Sequence, residues 1–435
     1  MKQTVLMLVL LAVGTVGPFA FGPFIGVAVY YLFAVLRPQY LWKWALWFDP
    51  GWSFYVSLAT IGATVVYLSS SLWEKTFSWA HYVMLSFALF VTLSHLFAIY
   101  GEISSGPYWE YLKIFIMFFV ASLAVRELVQ VKILYLIAAF AIGYIAYEFN
   151  YLYLVDHRLD IYHQGYGGLD NNGAGLLIAM GIPMFYFLWQ SYDRWWRWLF
   201  LALIAVMLHA VLMSYSRGAM VALLTASPLL VVRSARKKGM ILFVVGMLCI
   251  VPILAGKEIR ERFFSVEQYE EDRSAQSRLA SWNAAWEIAK DYPILGVGLR
   301  NADLLSHKYG VERENKAIHS VYFQTLADSG FPAAVLYLLL LFSSWKALRA
   351  VRLQHRTFAT ESDQLAYNLA CGIEGALAVF SIGAAFLSLQ VFELPYLLIL
   401  LALKLGMISH AQKVPATSPD SVPELAGQAR SFARA

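Results

Sequence analysis

Apolar runs about twenty residues long, the length a helix needs to cross a bilayer core of ~30 Å, recur along the whole chain. They fall at roughly 53–71, 78–100, 109–125, 128–149, 173–190, 196–214, 218–232, 239–256, 332–350, 363–388 and 394–410. No other feature constrains the fold as tightly. In lipid every backbone polar group must be satisfied internally, so runs of this length become helices. The chain is therefore expected to be all-α, a polytopic membrane protein. Charged residues make up 14% of it, against about a quarter in soluble domains, which excludes a string of soluble domains. The first 36 residues are apolar but broken at Gly17-Pro18 and Gly22-Pro23. One broken span there gives about 12 transmembrane helices with both termini inside, whereas a hairpin puts the N-terminus outside. No cleavable signal is expected, because the first run meets Gly17-Pro18 without a small-residue cleavage site.

Lysine and arginine gather on the cytoplasmic side of membrane proteins. Arg233, Arg236, Lys237 and Lys238 form one such cluster, Lys346, Arg349, Arg352 and Arg356 a second, and Arg194 with Arg197 a third. Counting back from these puts the turns at 72–77 and 126–127 inside, and the loops at 101–108, 150–172, 214–217, 257–318 and 389–393 outside. The expected domains are 1–256, the N-terminal membrane helices; 257–318, an outer loop; 319–410, the C-terminal membrane helices; and 411–435, a disordered cytoplasmic tail. Cys249 and Cys371 both lie in apolar stretches, so neither a disulfide nor a metal framework is expected.

The outer loop holds 21 of the 61 charged residues, ten basic and eleven acidic. Long loops escape the positive-inside rule, so its basic residues fit the topology. Within it, Leu279, Trp282, Trp286 and Ala289 share one helical face. Ser274 or Ser277 suits the cap and Pro293 the stop. The stripe reads as packing on the bundle or the membrane surface. The acidic run Glu270-Glu271-Asp272 reads as a cation site or, more simply, as a solvated segment.

Chemistry is sought where charge meets the membrane edge. Arg217, in SYSRGAMVALL, sits in a very short outer turn. A charge there marks function or pairing, or an arginine reaching up to lipid headgroups. Gly218 and Ala219 are expected to let the next helix pack closely. Arg278, in SAQSRLASW, falls in the expected first turn of the loop helix, where a cation opposes the helix dipole. A helix N-terminus with an arginine is an anion site; a solvated loop arginine is the plainer reading. DYPILGVGLR (291–300) carries Gly296 and Gly298 as a structural turn, with Arg300 a lesser phosphate candidate. His319 opens HSVYFQTLADSG, a helix expected to end at Gly330 before a span starting at Pro332. It is either a hydrogen-bonded interface residue or, with an unperturbed pKa near 6.5, a general base. Asp170, in GLDNNGAG, is a metal or sugar contact or, more simply, a helix cap with Asn171 and Asn172. No nucleotide motif, cysteine cluster or HExxH is present, and no cofactor, metal or nucleic-acid partner is expected.

On SRGAMVALL, EDRSAQSRLASWNAAWEIAKDYPILGVGL and HSVYFQTLADSGF, the chain resembles the O-antigen ligase and polymerase superfamily across roughly 167–350. The stretch GVAVYYLFAVLRPQYLWKWAL (26–46) resembles a branch described as O-glycosylation ligases associated with exosortase systems. The resemblance implies a metal-independent, inverting glycosyltransferase in the bacterial inner membrane, active at its periplasmic face. It implies a glycan donor on undecaprenyl pyrophosphate and, for ligases, a sugar hydroxyl of lipid A–core as acceptor. Polymerases and protein O-oligosaccharyltransferases share the signature. The family's functional arginines fall on Arg217 and Arg278 and its histidine on His319. Two arginines would then hold pyrophosphate where other transferases use a metal. A non-catalytic transporter is the reading from another class; internal repeats would favour it, and the sequence shows none.

Overall fold

The computed structural model describes residues 2–42, 51–67, 76–234, 241, 269–312, 315–387, 389 and 391–413, with backbone alone at 269–275 and 413. Helices α1 (Lys2–Phe21), α2 (Phe24–Leu36) and the short α3 (Pro38–Leu41) lead to α4 (Trp52–Tyr67), α5 (Trp79–Leu96), α6 (Gly101–Ala124) and α7 (Leu128–Asp156). The short α8 (Asp160–Gln164) precedes α9 (Asn171–Ser191), α10 (Trp198–Met213) and α11 (Arg217–Arg233). Then follow α12 (Tyr269–Asp291), α13 (Asn301–Leu305), α14 (Val321–Gln354), α15 (Glu361–Gly383) and α16 (Glu393–Lys413). Among the described residues no β-strand forms, and the protein is an all-α, multi-pass membrane protein. Nine of the described helical stretches are long and apolar enough to cross a membrane, and α4 is a shorter apolar helix. The expected span at 239–256 (Ile241 apart), the loop's first part at 257–268 and the tail from 414 lie outside the described residues. The side chains of Glu270, Glu271 and Asp272 do too.

The start of the chain resolves into a hairpin. Gly22 adopts φ +102° and Pro23 stands at the N-cap of α2. Glycine tolerates that backbone and proline lacks the N–H a continuing helix needs, so α1 and α2 are separate, and they pack on each other. Both are long enough to span, counting α2 together with α3.

The bundle is organised around α9, whose apolar window is 94% buried. It packs against α7, α10, α11 and α15. The most extensive contact is with α15, where Gly375 lies against Pro183 and Gly383 against Leu176. A side chain at either position would push the helices apart. Cys371 is buried on α15 and forms no disulfide.

Two corrections concern the outer loop. Its helix begins by Tyr269, so Arg278 lies in its third turn rather than its first. The buried face of α12 is Ser281, Ala284, Ala285, Ile288 and Ala289, while Leu279 and Trp286 are 60% and 42% exposed. Trp282 does pack, stacking on Phe323 at 5.5 Å, and Trp286 meets Phe331 edge-on at 5.6 Å. Ala285 and Ile288 join Val297, Ala302, Leu305, Ile318 and Ala327 in a small core of the loop's own. The expected break in the next helix is real: Gly330 has φ 81°, ψ 173° inside α14. The loop crosses α14 there, with Phe331 N donating to Pro293 O at 2.9 Å. Gly296 and Gly298 act as the structural turn, lying against Asp328 and Ala98.

Candidate active site

Arg217 is the first residue of α11. The turn before it is locked to the start of α9: Asn171 Nδ2 donates to Ser214 O at 2.9 Å, and Gly175 abuts Ser214 and Ser216. Ser216 caps α11, its hydroxyl accepting from Ala219 N at 3.2 Å. Ala219 is buried as expected, but Gly218 is not a packing contact, since a side chain there would meet open space. The positive end of α11 is therefore accessible beside an exposed arginine.

Asp170 caps α9 in the same way, Oδ1 accepting from Gly173 N at 2.8 Å. The capping role is the simpler sequence reading borne out. The carboxylate also faces the site. The half-buried Arg278 has its pKa lowered, first by burial, then by the charge of Arg217, with Asp170 pulling it back up. His319 is lowered from the usual histidine value, first by burial, then by Arg278, against the opposing charges of Asp170 and Asp303. The starts of α9 and α11, the middle of α12 and the residue before the α14 cap thus meet at one end of the bundle. Three segments far apart in sequence bring Arg217, Arg278 and His319 into one electrostatic neighbourhood, and Asp170 completes it.

The backbone around His319 is tightly held. Ile318 N donates to Asp303 Oδ1 at 3.2 Å, and Val321 N to Ala384 O at 2.8 Å. Ser320 caps α14. Between these holds His319 adopts φ +55°, a conformation uncommon outside glycine and costing of order 1 kcal/mol. Its depressed pKa keeps the ring neutral at pH 7, the form that takes a proton.

Arg300 is placed differently. Its guanidinium donates to Asp303 Oδ2 at 3.2 Å and its backbone N–H to Asp328 Oδ2 at 2.8 Å. Asp328 is fully buried and also accepts from Ala302 N and Gln324 Nε2 at 3.2 and 3.1 Å. The Asp303 and Asp328 carboxylates thus anchor the loop that carries His319 to the helix that follows it. Sequence reading missed both. A carboxylate in the apolar run before Gly330 was the available signal for Asp328; for Asp303 there was none. Among the described residues no group of three or more His, Cys, Asp or Glu converges as a metal site.

This end of the bundle combines two arginines, a helix N-terminus and a histidine. Residues 202–338, which contain Arg217, Arg278 and His319, match the family model described as O-antigen ligase. The match covers about a third of the chain and supports a relation to the O-antigen ligase superfamily for that stretch, at the coarse level of a glycosyltransferase-like ligase or polymerase. The stretch 26–46, which resembles one branch, lies outside the matched residues. No curated protein matches the chain.

Proposed function

We propose that the protein is an O-antigen ligase of the bacterial inner membrane, moving a glycan from undecaprenyl pyrophosphate to a sugar hydroxyl of lipid A–core at the periplasmic face. The observation that supports it most is the convergence of Arg217, Arg278 and His319. Arg278 is half-buried beside a like charge. Asp170 offsets part of that repulsion, and a pyrophosphate, which fits bidentate guanidinium geometry, would offset more of it. The acceptor oxygen attacks the anomeric carbon as the bond to the phosphate oxygen breaks. The electron pair leaves with undecaprenyl pyrophosphate, and the hydroxyl proton passes to a ring nitrogen of His319. A single displacement inverts the anomeric centre. Arg217, Arg278 and the N-terminus of α11 stabilise the departing charge in place of a metal. Arg300 is the lesser phosphate contact, being paired with Asp303 already. The basic clusters at 233–238 and 346–356 hold the opposite end in the cytoplasm.

The test is transfer by the purified protein from a lipid-pyrophosphate glycan, with rough lipopolysaccharide, a peptide, or a second donor molecule offered as acceptor. Product on lipopolysaccharide, undiminished by EDTA, is expected. Product on the second donor or the peptide would make the enzyme a polymerase or a protein O-oligosaccharyltransferase with the same donor. Loss with EDTA, restored by a divalent ion, would overturn the roles of the arginines.

A further inference from the structure

Beside the candidate active site, at the same end of the bundle, two cavities of about 320 and 440 Å³ share the wall residues Tyr40, Gly167 and Gly168. That wall is a tight hairpin. Tyr166 and Leu169 exchange backbone hydrogen bonds at 2.9 Å each, and Gly167 and Gly168 turn the chain with φ +61° and +84°. Two-residue turns of this kind need positive φ at both positions. Arg37 reaches across to Gly167 O, and the Tyr166 hydroxyl bonds to Leu36 O. The hairpin is thus pinned to the end of α2, and the next residue after it is Asp170 of the active site.

We propose that these two cavities form a carbohydrate subsite, holding neutral sugar rings of one of the two substrates while its reacting end lies at Arg217, Arg278 and His319. The proposal rests on the glycan-transfer reading above. The charges in the lining argue against an anion. Lys113 is paired with Glu110 at 2.6 Å and Arg158 with Asp160 at 2.5 Å, while the third cation of the lining, Arg37, is held on Gly167 O and interacts with the charge of Glu393. What remains is a lining of hydroxyls, amides and carboxylate oxygens among aromatic rings, suited to a ligand that both donates and accepts and has apolar C–H faces. One acceptor stands ready: the Glu393 carboxylate, in the wall of the smaller cavity, bonds to Tyr30, and its buried Oε1 has no hydrogen-bond partner among the described residues. A ligand hydroxyl aimed at it would satisfy a buried oxygen that otherwise costs free energy. Glu148, accepting from Tyr144, offers a second carboxylate in the larger cavity. The volumes are in the range of small-ligand sites.

The experiment uses the full-length protein in detergent and two probes: the oligosaccharide released from the donor by mild acid, and lipid-free core oligosaccharide. Binding is read by calorimetry and transfer by steady-state kinetics. One probe is expected to bind wild type, and to bind Arg217→Ala equally, since the cavities lie apart from the pyrophosphate contacts. Tyr40→Ala, at a 43% exposed position, should weaken that binding about tenfold, the scale of a lost contact residue, and raise the matching KM with kcat near wild type. Glu148→Gln, with the shape retained, should act in the same direction. A raised donor KM assigns the cavities to the transferred glycan, and a raised acceptor KM to the core sugars. If neither probe binds wild type, or if Tyr40→Ala and Glu148→Gln leave both KM values unchanged, the subsite is overturned. The loss of transfer in Arg217→Ala would still stand or fall by itself.

Discussion

Helix α11 carries an arginine at each end, and the two ends are built to opposite plans. Arg233, at the C-terminal end, the inner one in the proposed topology, donates through Nε and Nη2 to Glu374 at 2.9 and 3.3 Å. Arg352 of α14 donates to the same carboxylate at 2.9 Å. Glu374 is 3% exposed, so the triad is an internal clamp joining α11, α14 and α15. Arg217, at the N-terminal end, the outer one in the proposed topology, is exposed and shares its surroundings with Arg278. One end buries its charge in an ion-pair triad, and the other sets two arginines near each other at an exposed position with Asp170 close by. A charge satisfied within the fold serves stability, whereas like charges gathered at a surface serve a ligand that brings the opposite sign.

This contrast is testable at both ends. The largest effect is expected at the outer one. His319→Ala should reduce transfer about 10²–10⁴-fold while donor binding persists. In wild type the rate should rise with pH as the ring loses its proton. It should level off below the pH at which an ordinary histidine is half neutral, because burial and Arg278 lower this one. That limb should vanish in the variant. Arg217→Ala should lower the rate about 10²–10³-fold and weaken donor binding as well. Arg217→Lys should restore little, since an ammonium cannot bridge two phosphate oxygens as a guanidinium does. The unfolding midpoint should hold or rise slightly, because a like-charge contact has been removed. If Arg217→Ala instead melts early, the outer arginines are structural and the contrast fails.

At the inner end the pattern should reverse. Glu374→Gln leaves Arg233 and Arg352 facing each other without a counter-charge, and should cost about 3–5 kcal/mol of stability. A lower unfolding midpoint with an unchanged rate per folded molecule is expected, and a selective loss of rate would contradict it. The smallest effect belongs to Asp170→Asn. Asparagine still caps α9, so the fold should be untouched. The carboxylate that raises the His319 pKa is gone, so the pH limb should move to lower pH. A move to higher pH would remove Asp170 from the site.

The difference between the ends also explains what could be seen in the sequence. Spans, the break at Gly330 and the arginine in a short outer turn were legible, because each rests on local composition or on one residue's backbone freedom. The position of Arg278 within its helix was not. The turns before it read YEEDRSAQ, with no apolar periodicity to mark where the helix begins. Glu374 lies 141 residues from Arg233 and in sequence is one acid in an apolar run. Its role exists only once α11, α14 and α15 are side by side. Asp170 looked like a cap because it is one; its second role depends on Arg278 and His319 being brought near it by the fold.

The clamp around Asp328 bears on the order of events during synthesis. Ser94 Oγ donates to Asp328 O at 2.6 Å across 234 residues of chain, and Ile99 N to Val297 O at 3.0 Å. The loop that presents His319 is therefore fastened to α5, which leaves the ribosome long before α14. At ~5–20 residues per second, that interval is roughly 10–50 s. During it the early helices hold half a cleft, and a chain released before Asp328 is made lacks the anchor altogether. Truncation before Asp328 should thus yield no partial enzyme, and the proposed transfer waits on the completion of this anchor.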